Sequence, residues 1–407
     1  MENSNTRETL EQKEDGEEPR NEYQNKDTKS TGKDGESKSI VSKLFVHSQW
    51  LAVQSPYFKA LFYSGMKETY SKEVVMKIYE DDLQSHITLI EAMYKLDVLN
   101  DKDYRLLVQV LVLANKYDVR LVIKKCKYVL LSTPPSLEMC DYCLREMEHL
   151  SDMADIYDML EKFLVKEFTP IDETWTMKKF TGLSKAALRL LLGSDSLGSR
   201  SENTVFVALM KWVRLNVFWV KHDTCDLLDL VRFEFMSVDF LYDVVQDHFV
   251  ARRMPGYDKF LLKGLSYHGF SRNRREQLEP KPKKRRLVED AGPTFSWVID
   301  DKLVQELTKF PGVPVSSDIF WYHGYAMRLR LDYAQDLSKC SFYLEIIGLK
   351  GEACVQASFK AKSILFSVEM EKTLYTAGGS NWGYGDIACN KAKIEQSYAI
   401  DVRVKID

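Results

Sequence analysis

The sequence predicts a multidomain α+β protein in which helical domains precede a C-terminal antiparallel β-sandwich. The first residues carry almost no apolar side chains, the middle repeats apolar residues at helical spacing, and alternating strand-length runs are confined to the end. A chain of 407 residues can hold two or three domains, each with its own core. The predicted segments are a disordered tail (1–39), an α/β domain (40–133), an all-α helical stack (134–265), a basic linker (266–292) and the sandwich (293–407).

The composition is that of an ordinary globular protein and argues against several classes. With 57 basic and 60 acidic residues the net charge is −3, which gives no whole-chain reason to expect nucleic-acid or membrane binding. We find no apolar N-terminal stretch typical of a signal peptide and no charge-free apolar run long enough to span a membrane. The seven scattered cysteines indicate reduced thiols, and we expect the protein in the nucleus and the cytoplasm.

The stretch FVHSQWLAVQSPYFKALFYSGMKET, from Phe45 to Thr69, is the strongest pattern in the chain. Its apolar residues recur at helical intervals on both sides of a Ser-Pro step. Because proline is tolerated in the first turn of a helix but not in its middle, this pattern predicts two helices that meet at Pro56. The rest of the domain is predicted to contain a strand at Val74–Tyr79 and helices at Ile87–Tyr94, Tyr104–Tyr117 and Val119–Leu131.

This stretch resembles the signature of the BTB/POZ family. The matching residues, in order, are Phe45-x-His47, Leu51, Ser55-Pro56-x-Phe58, Leu61-Phe62 and Gly65-Met66-Lys67-Glu68. The resemblance implies a homodimer, and in much of the family the two subunits exchange a first strand headed by an aspartate. Asp34 stands at that distance from His47, but the Gly-Glu-Ser-Lys-Ser that follows it has no strand character. The resemblance therefore implies dimerisation through helices, and whether a first strand exists and is exchanged stays open.

From Ser136 onward the pattern is helix after helix. The predicted helices are Leu137–Leu150, Met153–Phe168, Ser184–Leu192 and Glu202–Phe218. A leucine-rich run after Leu183, a Ser-Asp-x-Leu loop, and Ser-Glu leading to Trp212-Val213 resemble the BACK domain, which often follows BTB. This resemblance implies a helical stack that spaces other domains.

Between Tyr267 and Gly292 lies a basic, proline-containing segment that we interpret as a solvated linker. Its run PKPKKRR indicates a nuclear-import signal read by importin. The residues assigned to this signal are Lys281, Lys283, Lys284, Arg285 and Arg286. Two alternatives stay open: a basic linker with no receptor, and a nucleic-acid contact. The second ranks last because no stacking aromatics are interleaved between Arg272 and Arg286.

From Thr294 onward, strand-length runs separated by Gly, Asp or Ser predict the antiparallel sandwich. The runs are FSWVID, MRLRLDY, SFYLEII, CVQASFKAK, ILFSVEM and YAIDVRVKI. Several features of this part resemble the MATH (TRAF-C) domain. They are Phe295-x-Trp297-x-Ile299, Ser317 and Phe320 before Gly324, the paired strands SFYLEI and VQASFKA, and Trp382-Gly383-Tyr384.

No motif predicts a catalytic site, a metal site or a cofactor, and we expect no enzyme. Cys140-x-x-Cys143 is the only CxxC pair; it lies in a predicted helix without further metal ligands, so we interpret both thiols as structural. His47 has no partner in a recognisable catalytic motif and is interpreted as a hydrogen-bonded core histidine.

BTB-like, BACK-like and MATH-like parts together resemble the substrate adaptors of cullin-3 RING ubiquitin ligases. In MATH-and-BTB adaptors, cullin contact depends partly on a hydrophobic residue, any residue, then Glu. Met66-Lys67-Glu68 matches this pattern, so Met66 and Glu68 are the predicted cullin-binding residues. The MATH substrate groove uses Trp-Gly-Phe-type aromatics, matched by Trp382 and Tyr384; the alternative is that these two rings fill the sandwich core.

The predicted function is a non-catalytic adaptor that works as a dimer. Its expected partners are cullin-3, a second copy of the chain, a protein substrate and importin; no membrane partner is expected, and nucleic acid ranks last. The alternative is a nuclear transcription cofactor that oligomerises through its BTB-like domain. The PKPKKRR run favours this alternative, and the lack of a DNA-reading module opposes it.

Overall fold

A computed structural model describes residues 43–65, 70–71, 73–216, 224, 226–289, 294–379, 381–389, 394 and 396–406. The predicted tail and the segment after Asp34 lie outside these residues. The described residues fall into two units, 43–47 and those from Ser48 onward. In the first, residues 43–47 form no helix or strand, and His47 is exposed, so its interpretation as a core histidine is wrong. The elements below belong to the second unit.

In the first helical region (residues 48–133), all the regular structure of the described residues is helical. Its α-helices are α1 (Ser48–Gln54), α2 (Pro56–Tyr63), α3 (Leu83–Tyr94), α4 (Tyr104–Lys116) and α5 (Arg120–Ser132). The apolar face of α4 is fully buried, and Asp103 caps its start by accepting a hydrogen bond from Arg105 N at 2.7 Å. The predicted strand at Val74–Tyr79 is wrong, because described residues 48–133 offer no strand for it to pair with.

The second helical region (residues 134–276) contains the predicted helices and several short ones. They are α6 (Leu137–Glu146), α7 (Ala154–Phe168), α8 (Ile171–Thr174), α9 (Lys178–Thr181), α10 (Lys185–Gly193), α11 (Glu202–Asn216), α12 (Val238–Phe240), α13 (Tyr257–Gly269) and α14 (Arg272–Glu276). Serine side chains cap three of them: Ser136 accepts from Met139 N and Ser184 from Ala187 N, both at 3.2 Å, and Ser271 accepts from Arg274 N at 3.4 Å.

Helix α11 is the centre of this region. Most of its side chains are buried, from Glu202 to Val213, so it is packed on several sides. Trp212 donates its indole N–H to the Leu183 carbonyl at 2.9 Å, which ties α11 to the turn before α10. The leucine-rich run and the tryptophan noted in the sequence therefore meet in the core.

The C-terminal region forms two packed antiparallel sheets, which confirms the multidomain α+β class. Its strands are β3 (Phe295–Ile299), β4 (Val315–Ser316), β5 (Phe320–Tyr322), β6 (Tyr325–Tyr333), β7 (Lys339–Ile347), β8 (Cys354–Lys362), β9 (Ser367–Thr376), β10 (Asn381–Ala388) and β11 (Tyr398–Ile406). One sheet has the order β10-β7-β6-β4, with β5 also paired to β6, and the other has the order β3-β11-β8-β9. A helix that the sequence analysis missed, α15 (Asp301–Lys309), follows β3.

Alternation along the long strands creates the sandwich core. In β6 and β7 every second side chain is buried, as expected where one face of a sheet packs on another layer. Phe342 of one sheet lies against Phe359 of the other, with ring centroids 6.0 Å apart. The hydroxyls of Tyr333 and Tyr398 share a buried hydrogen bond of 2.6 Å between the sheets. In the described part of the chain, no helix has the length and apolar character needed to cross a bilayer.

Two short parallel strands lie between the helices and the sandwich. They are β1 (Gly198–Ser199), just before α11, and β2 (Arg286–Leu287), inside the basic segment. Residues 283–288, here called the basic strap, therefore lie on the second helical region. For this part the interpretation as a linker is wrong, because the backbone of the strap pairs with β1, although most of its side chains are exposed to solvent.

Candidate protein-interaction sites

The Ser-Pro step of the signature stretch fixes the start of α2. Ser55 is fully buried; its hydroxyl accepts a hydrogen bond from Phe58 N at 3.1 Å and donates one to the Tyr117 carbonyl at 2.5 Å. A serine cap followed by proline is a favourable helix start. The rings of Tyr57 and Phe58 also pack on Tyr117. Helix α2 is therefore tied to the end of α4. The start of α2 at Pro56 confirms the sequence prediction, which did not include this contact.

The predicted cullin contacts, Met66 and Glu68, lie outside the described residues. Helix α2 ends directly before them: Ser64 N donates to the Ala60 carbonyl, and Gly65 has a φ of +79°. This left-handed conformation favours glycine and commonly ends a helix. The residue that precedes the motif is thus held by the end of α2.

An apolar patch lies on the surface of the first helical region. Trp50 and Val53 are one helical turn apart on α1 and are 48% and 83% exposed. The Trp50 ring stacks on Tyr94 at 6.3 Å, and its indole N–H donates to the Met93 carbonyl at 2.8 Å. The patch of Trp50, Val53 and Tyr94 is therefore fixed in place, and such surfaces are typical of protein contacts.

At the opposite end of the chain, Trp382 and Tyr384 lie on β10, an edge strand of the sandwich. They are 45% and 37% exposed, so they do not fill the core; nearby Tyr375 does, and is fully buried. The Trp382 indole N–H donates to the Gly379 carbonyl at 3.0 Å, and the Tyr384 hydroxyl donates to the Glu369 carbonyl at 2.6 Å. Both rings are therefore half exposed and oriented by backbone acceptors.

Gly383 explains why a glycine separates these aromatics. It pairs with Tyr343 of β7, and a Cβ there would lie 1.9 Å from the Phe342 carbonyl oxygen. Any side chain at this position would displace the strand. The Trp-Gly-Tyr pattern thus combines two exposed rings with a close approach of two backbones.

The basic segment is divided between exposed and buried side chains. Lys281, Lys283, Lys284 and Arg286 are exposed, whereas Arg285 is 6% exposed. Lys283 lies 3.7 Å from Asp195, and the Lys284 ammonium lies over the Phe235 ring at 5.5 Å. The sequence analysis treated all five basic residues as solvated; for Arg285 that prediction is wrong.

Arg285 occupies a pocket in the second helical region. Its guanidinium donates to the carbonyls of Ser194 (2.8 Å) and Leu230 (2.6 Å). Its Nε lies 2.8 Å from Oε1 of Glu202, off the hydrogen-bond direction, so their attraction is chiefly electrostatic. Burial raises the pKa of Glu202, and the Arg285 charge opposes that shift. No local pattern links these two residues, which are far apart in sequence, and the sequence analysis missed the pair.

The turn between β5 and β6 docks the sandwich on the second helical region. Asn203 of α11 donates to the His323 carbonyl at 3.1 Å, and Asp243 accepts from Cys354 N at 3.1 Å. Trp321 packs edge-on against Trp175 at 5.1 Å. A cavity of about 280 Å³ lies beside this turn, bounded by the basic strap and the start of α11. The sandwich is therefore held by several direct contacts.

The thiols of Cys140 and Cys143 are buried in α6, which confirms their interpretation as structural residues. Burial raises the pKa of each to about 12. Within the described ranges, no group of three or more His, Cys, Asp and Glu side chains is placed to hold a metal ion.

Comparison with known proteins identifies the two helical regions. A family model described as "BTB/POZ domain" matches residues 38–133, and one described as "BACK: BTB And C-terminal Kelch" matches residues 144–246. The chain contains a BTB domain and a BACK domain. Helices α1–α5 belong to the BTB match, whereas the basic strap and the sandwich follow the BACK match.

Curated proteins with similar sequences include two Kelch-like proteins and a BTB/POZ domain-containing protein. Kelch-like protein 28 of Homo sapiens is 29% identical over 227 residues, covering 56% of this chain and 38% of that protein. Kelch-like protein 7 of Rattus norvegicus is 27% identical over 254 residues, covering 61% and 41%. A BTB/POZ domain-containing protein of Arabidopsis thaliana is 27% identical over 213 residues, covering 50% and 40%. The chain spans about two fifths of the length of these relatives.

Proposed function

We propose that this protein is a non-catalytic adaptor that bridges a bound protein to a cullin-3 RING ubiquitin ligase. The observation that carries this is the arrangement of three modules in one compact unit: a BTB domain, a BACK domain, and a sandwich docked on the BACK domain by direct contacts. In such an adaptor, one end binds the ligase and the other presents a substrate at a defined distance. Similarity to Kelch-like proteins supports the role at the level of the family.

The cullin-binding residues of this proposal are Met66 and Glu68. A methionine can fill an apolar cleft, and a flanking carboxylate can fix the register at its rim. The anchored α2 and the left-handed Gly65 support this assignment, because they fix the chain directly before the motif.

We further propose that the BTB domain forms a homodimer through its helices. The patch of Trp50, Val53 and Tyr94 supports this, since it is apolar, exposed and rigidly held. Burying such aromatic surface is a common source of dimer stability.

For the sandwich we propose a MATH-like domain that binds an extended peptide beside β10. The names of the relatives raise Kelch repeats as the alternative, and such repeats of about 50 residues each form one four-stranded blade of a propeller. A blade is one sheet of consecutive strands, whereas here the sheet orders β3-β11-β8-β9 and β10-β7-β6-β4 combine strands from different parts of the region, which supports a two-sheet sandwich instead. Trp382 and Tyr384 would serve as the aromatic anchors of the groove.

The exposed basic residues support a second proposal, that importin carries the protein into the nucleus and that it is present there and in the cytoplasm. Lys281, Lys283, Lys284 and Arg286 are accessible on the surface. A nuclear location is what the alternative function requires, a transcription cofactor that oligomerises through its BTB domain.

Co-purification with cullin-3 tests the adaptor function. We expect cullin-3 to be retained by the wild type and lost from Met66→Ala/Glu68→Ala. The matched control is Met177→Ala/Glu173→Ala, which removes the same residue types at exposed positions of the BACK domain. No cullin-3 with the wild type would exclude the adaptor, whereas equal retention by wild type and the first variant would exclude only the site.

A further inference from the structure

The basic segment has an arrangement that its sequence does not reveal. A receptor that reads a basic run as an extended peptide needs access to its side chains and to its backbone. In the strap, Arg286 N donates to the Asp195 carbonyl and Val288 N donates to the Ser199 carbonyl, both at 3.2 Å. The backbone groups that such a receptor would use are therefore already bound within the chain.

The pocket beneath the strap is specific for arginine. Its two hydrogen-bond acceptors are the carbonyls of Ser194 and Leu230, at 2.8 and 2.6 Å from guanidinium nitrogens of Arg285, and the carboxylate of Glu202 lies 2.8 Å from Nε as the counter-charge. A planar guanidinium can donate to two carbonyls in different directions while it stays beside the carboxylate, whereas a lysine ammonium is a single point charge. Both charged side chains are almost fully buried, so opening the strap exposes them together.

The far end of the strap is also closely packed. A Cβ on Gly198 would lie 2.7 Å from a methyl group of Val288 and 2.6 Å from one of Thr169. The glycine therefore lets Val288 lie directly on β1. The strap is held at both ends, by Arg285 and by Val288, while the basic residues between and before them point to solvent.

We propose that the basic segment is a closed nuclear-import signal: the BACK-domain pocket binds Arg285 in cis, and importin reads the segment only after the strap detaches. The inference rests on the nuclear import proposed above and adds its regulation. Exposed Lys281, Lys283 and Lys284 provide a first contact, and full recognition requires release of Arg285. The apparent affinity for importin is then reduced by the fraction of molecules in which the strap is open.

Binding to purified importin tests this proposal. The probes are a peptide of residues 279–289, the full chain, and the Glu202→Gln variant of the full chain, which removes the counter-charge of Arg285 and leaves the basic residues intact. We expect the full chain to bind at least about tenfold more weakly than the peptide, which corresponds to a closed state favoured by about 1.4 kcal/mol. Glu202→Gln should recover most of this difference and should be cleaved faster by trypsin within the strap.

The control is Glu173→Gln, the same substitution at an exposed carboxylate that pairs with Arg200 at 2.8 Å, and it should bind as the wild type does. If Glu202→Gln does not unfold cooperatively, Val288→Ala replaces it, since it loosens the strap and preserves the pocket. Equal binding by peptide and wild-type chain would overturn the closed signal and leave nuclear import standing. A peptide that fails to bind importin would overturn both, and a folded release variant that binds no better than the wild type would overturn the role of the pocket.

Discussion

The ring of Tyr325 packs edge-on against the ring of Phe240, with centroids 5.2 Å apart and an interplanar angle of 89°. This contact joins the first residue of a long sandwich strand to the BACK domain. It lies beside the turn at His323 and Gly324. It also lies beside Asn203, whose side-chain amide donates hydrogen bonds to the Ser237 hydroxyl and the His323 carbonyl. The position of the sandwich relative to the BACK domain depends on this junction.

Gly324→Ala is expected to weaken the junction. Gly324 has a φ of +84°, and a Cβ would lie 2.8 Å from the Asn203 Cβ and 2.9 Å from the Phe240 ring. Gly348→Ala is the control, because its φ is +86° but no atom lies within 4 Å of its added Cβ. Urea unfolding should show a loss larger by about 1–3 kcal/mol for Gly324→Ala. Equal losses would mean that the turn does not support the docking.

Ser55→Ala should destabilise the BTB domain and the start of α2. The change removes a helix cap and leaves the buried Tyr117 carbonyl without its hydroxyl donor, so the free energy of unfolding should fall by about 1–3 kcal/mol. Ser64→Ala, at an exposed serine after the same helix, should change it by less than about 0.5 kcal/mol. Thermal or urea unfolding of both variants measures the difference. Similar values for both would argue against Ser55 as the anchor.

The second helical region should have a lower free energy of unfolding in mild acid because of His248. Burial lowers the pKa of this imidazole in the folded state, while the unfolded chain keeps a pKa near 6.5. The unfolded state therefore takes up the proton first, so His248 contributes stability above about pH 6.5 that is lost as the pH falls below it. We expect unfolding free energies measured at pH 7.5 and pH 5.5 to differ less in His248→Gln than in wild type. His149→Gln, at an exposed histidine, should keep the wild-type difference; an unchanged pH dependence in His248→Gln would contradict this account.

Trp382→Ala/Tyr384→Ala should abolish capture of proteins by the sandwich and leave its stability almost unchanged. Both rings are half exposed, so their removal costs little in the fold, whereas aromatic anchors of an interface often contribute 2 kcal/mol or more, which is about thirtyfold in affinity. Quantitative proximity labelling of wild type and variant measures the loss. Leu374→Ala, at an apolar residue of β9 that is 52% exposed, is the control. An unchanged set of labelled proteins would move the binding site away from β10.

Much of the fold followed from local pattern. Helices α3, α4 and α5 repeat apolar residues at helical spacing, and β6 and β7 alternate apolar and polar residues. The helical repeat therefore predicted the helices, and the two-residue alternation predicted the strands. The strand predicted at Val74–Tyr79 failed because β-branched residues form a strand only where another strand pairs with them. Helix α15 was missed although the sequence places an aspartate, a favourable helix cap, directly before it; in the structure Asp300 accepts a hydrogen bond from Leu303 N at 2.9 Å. The strand-length runs on both sides of this short helix led the sequence analysis to predict only strands there.

The candidate sites divide in the same way. The Ser-Pro helix start, the Trp-Gly-Tyr edge and the basic run are short sequence motifs, because each is defined by neighbouring residues. The partner of Arg285 is not, since burial of a guanidinium depends on which carboxylate the fold brings to it, and Glu202 lies on a helix that precedes it by many residues. The docking of Gly324 beside Asn203 and Phe240 is likewise a meeting of distant segments. Local order was therefore readable from the residues alone, whereas exposure, ion pairing and domain docking were decided by long-range packing.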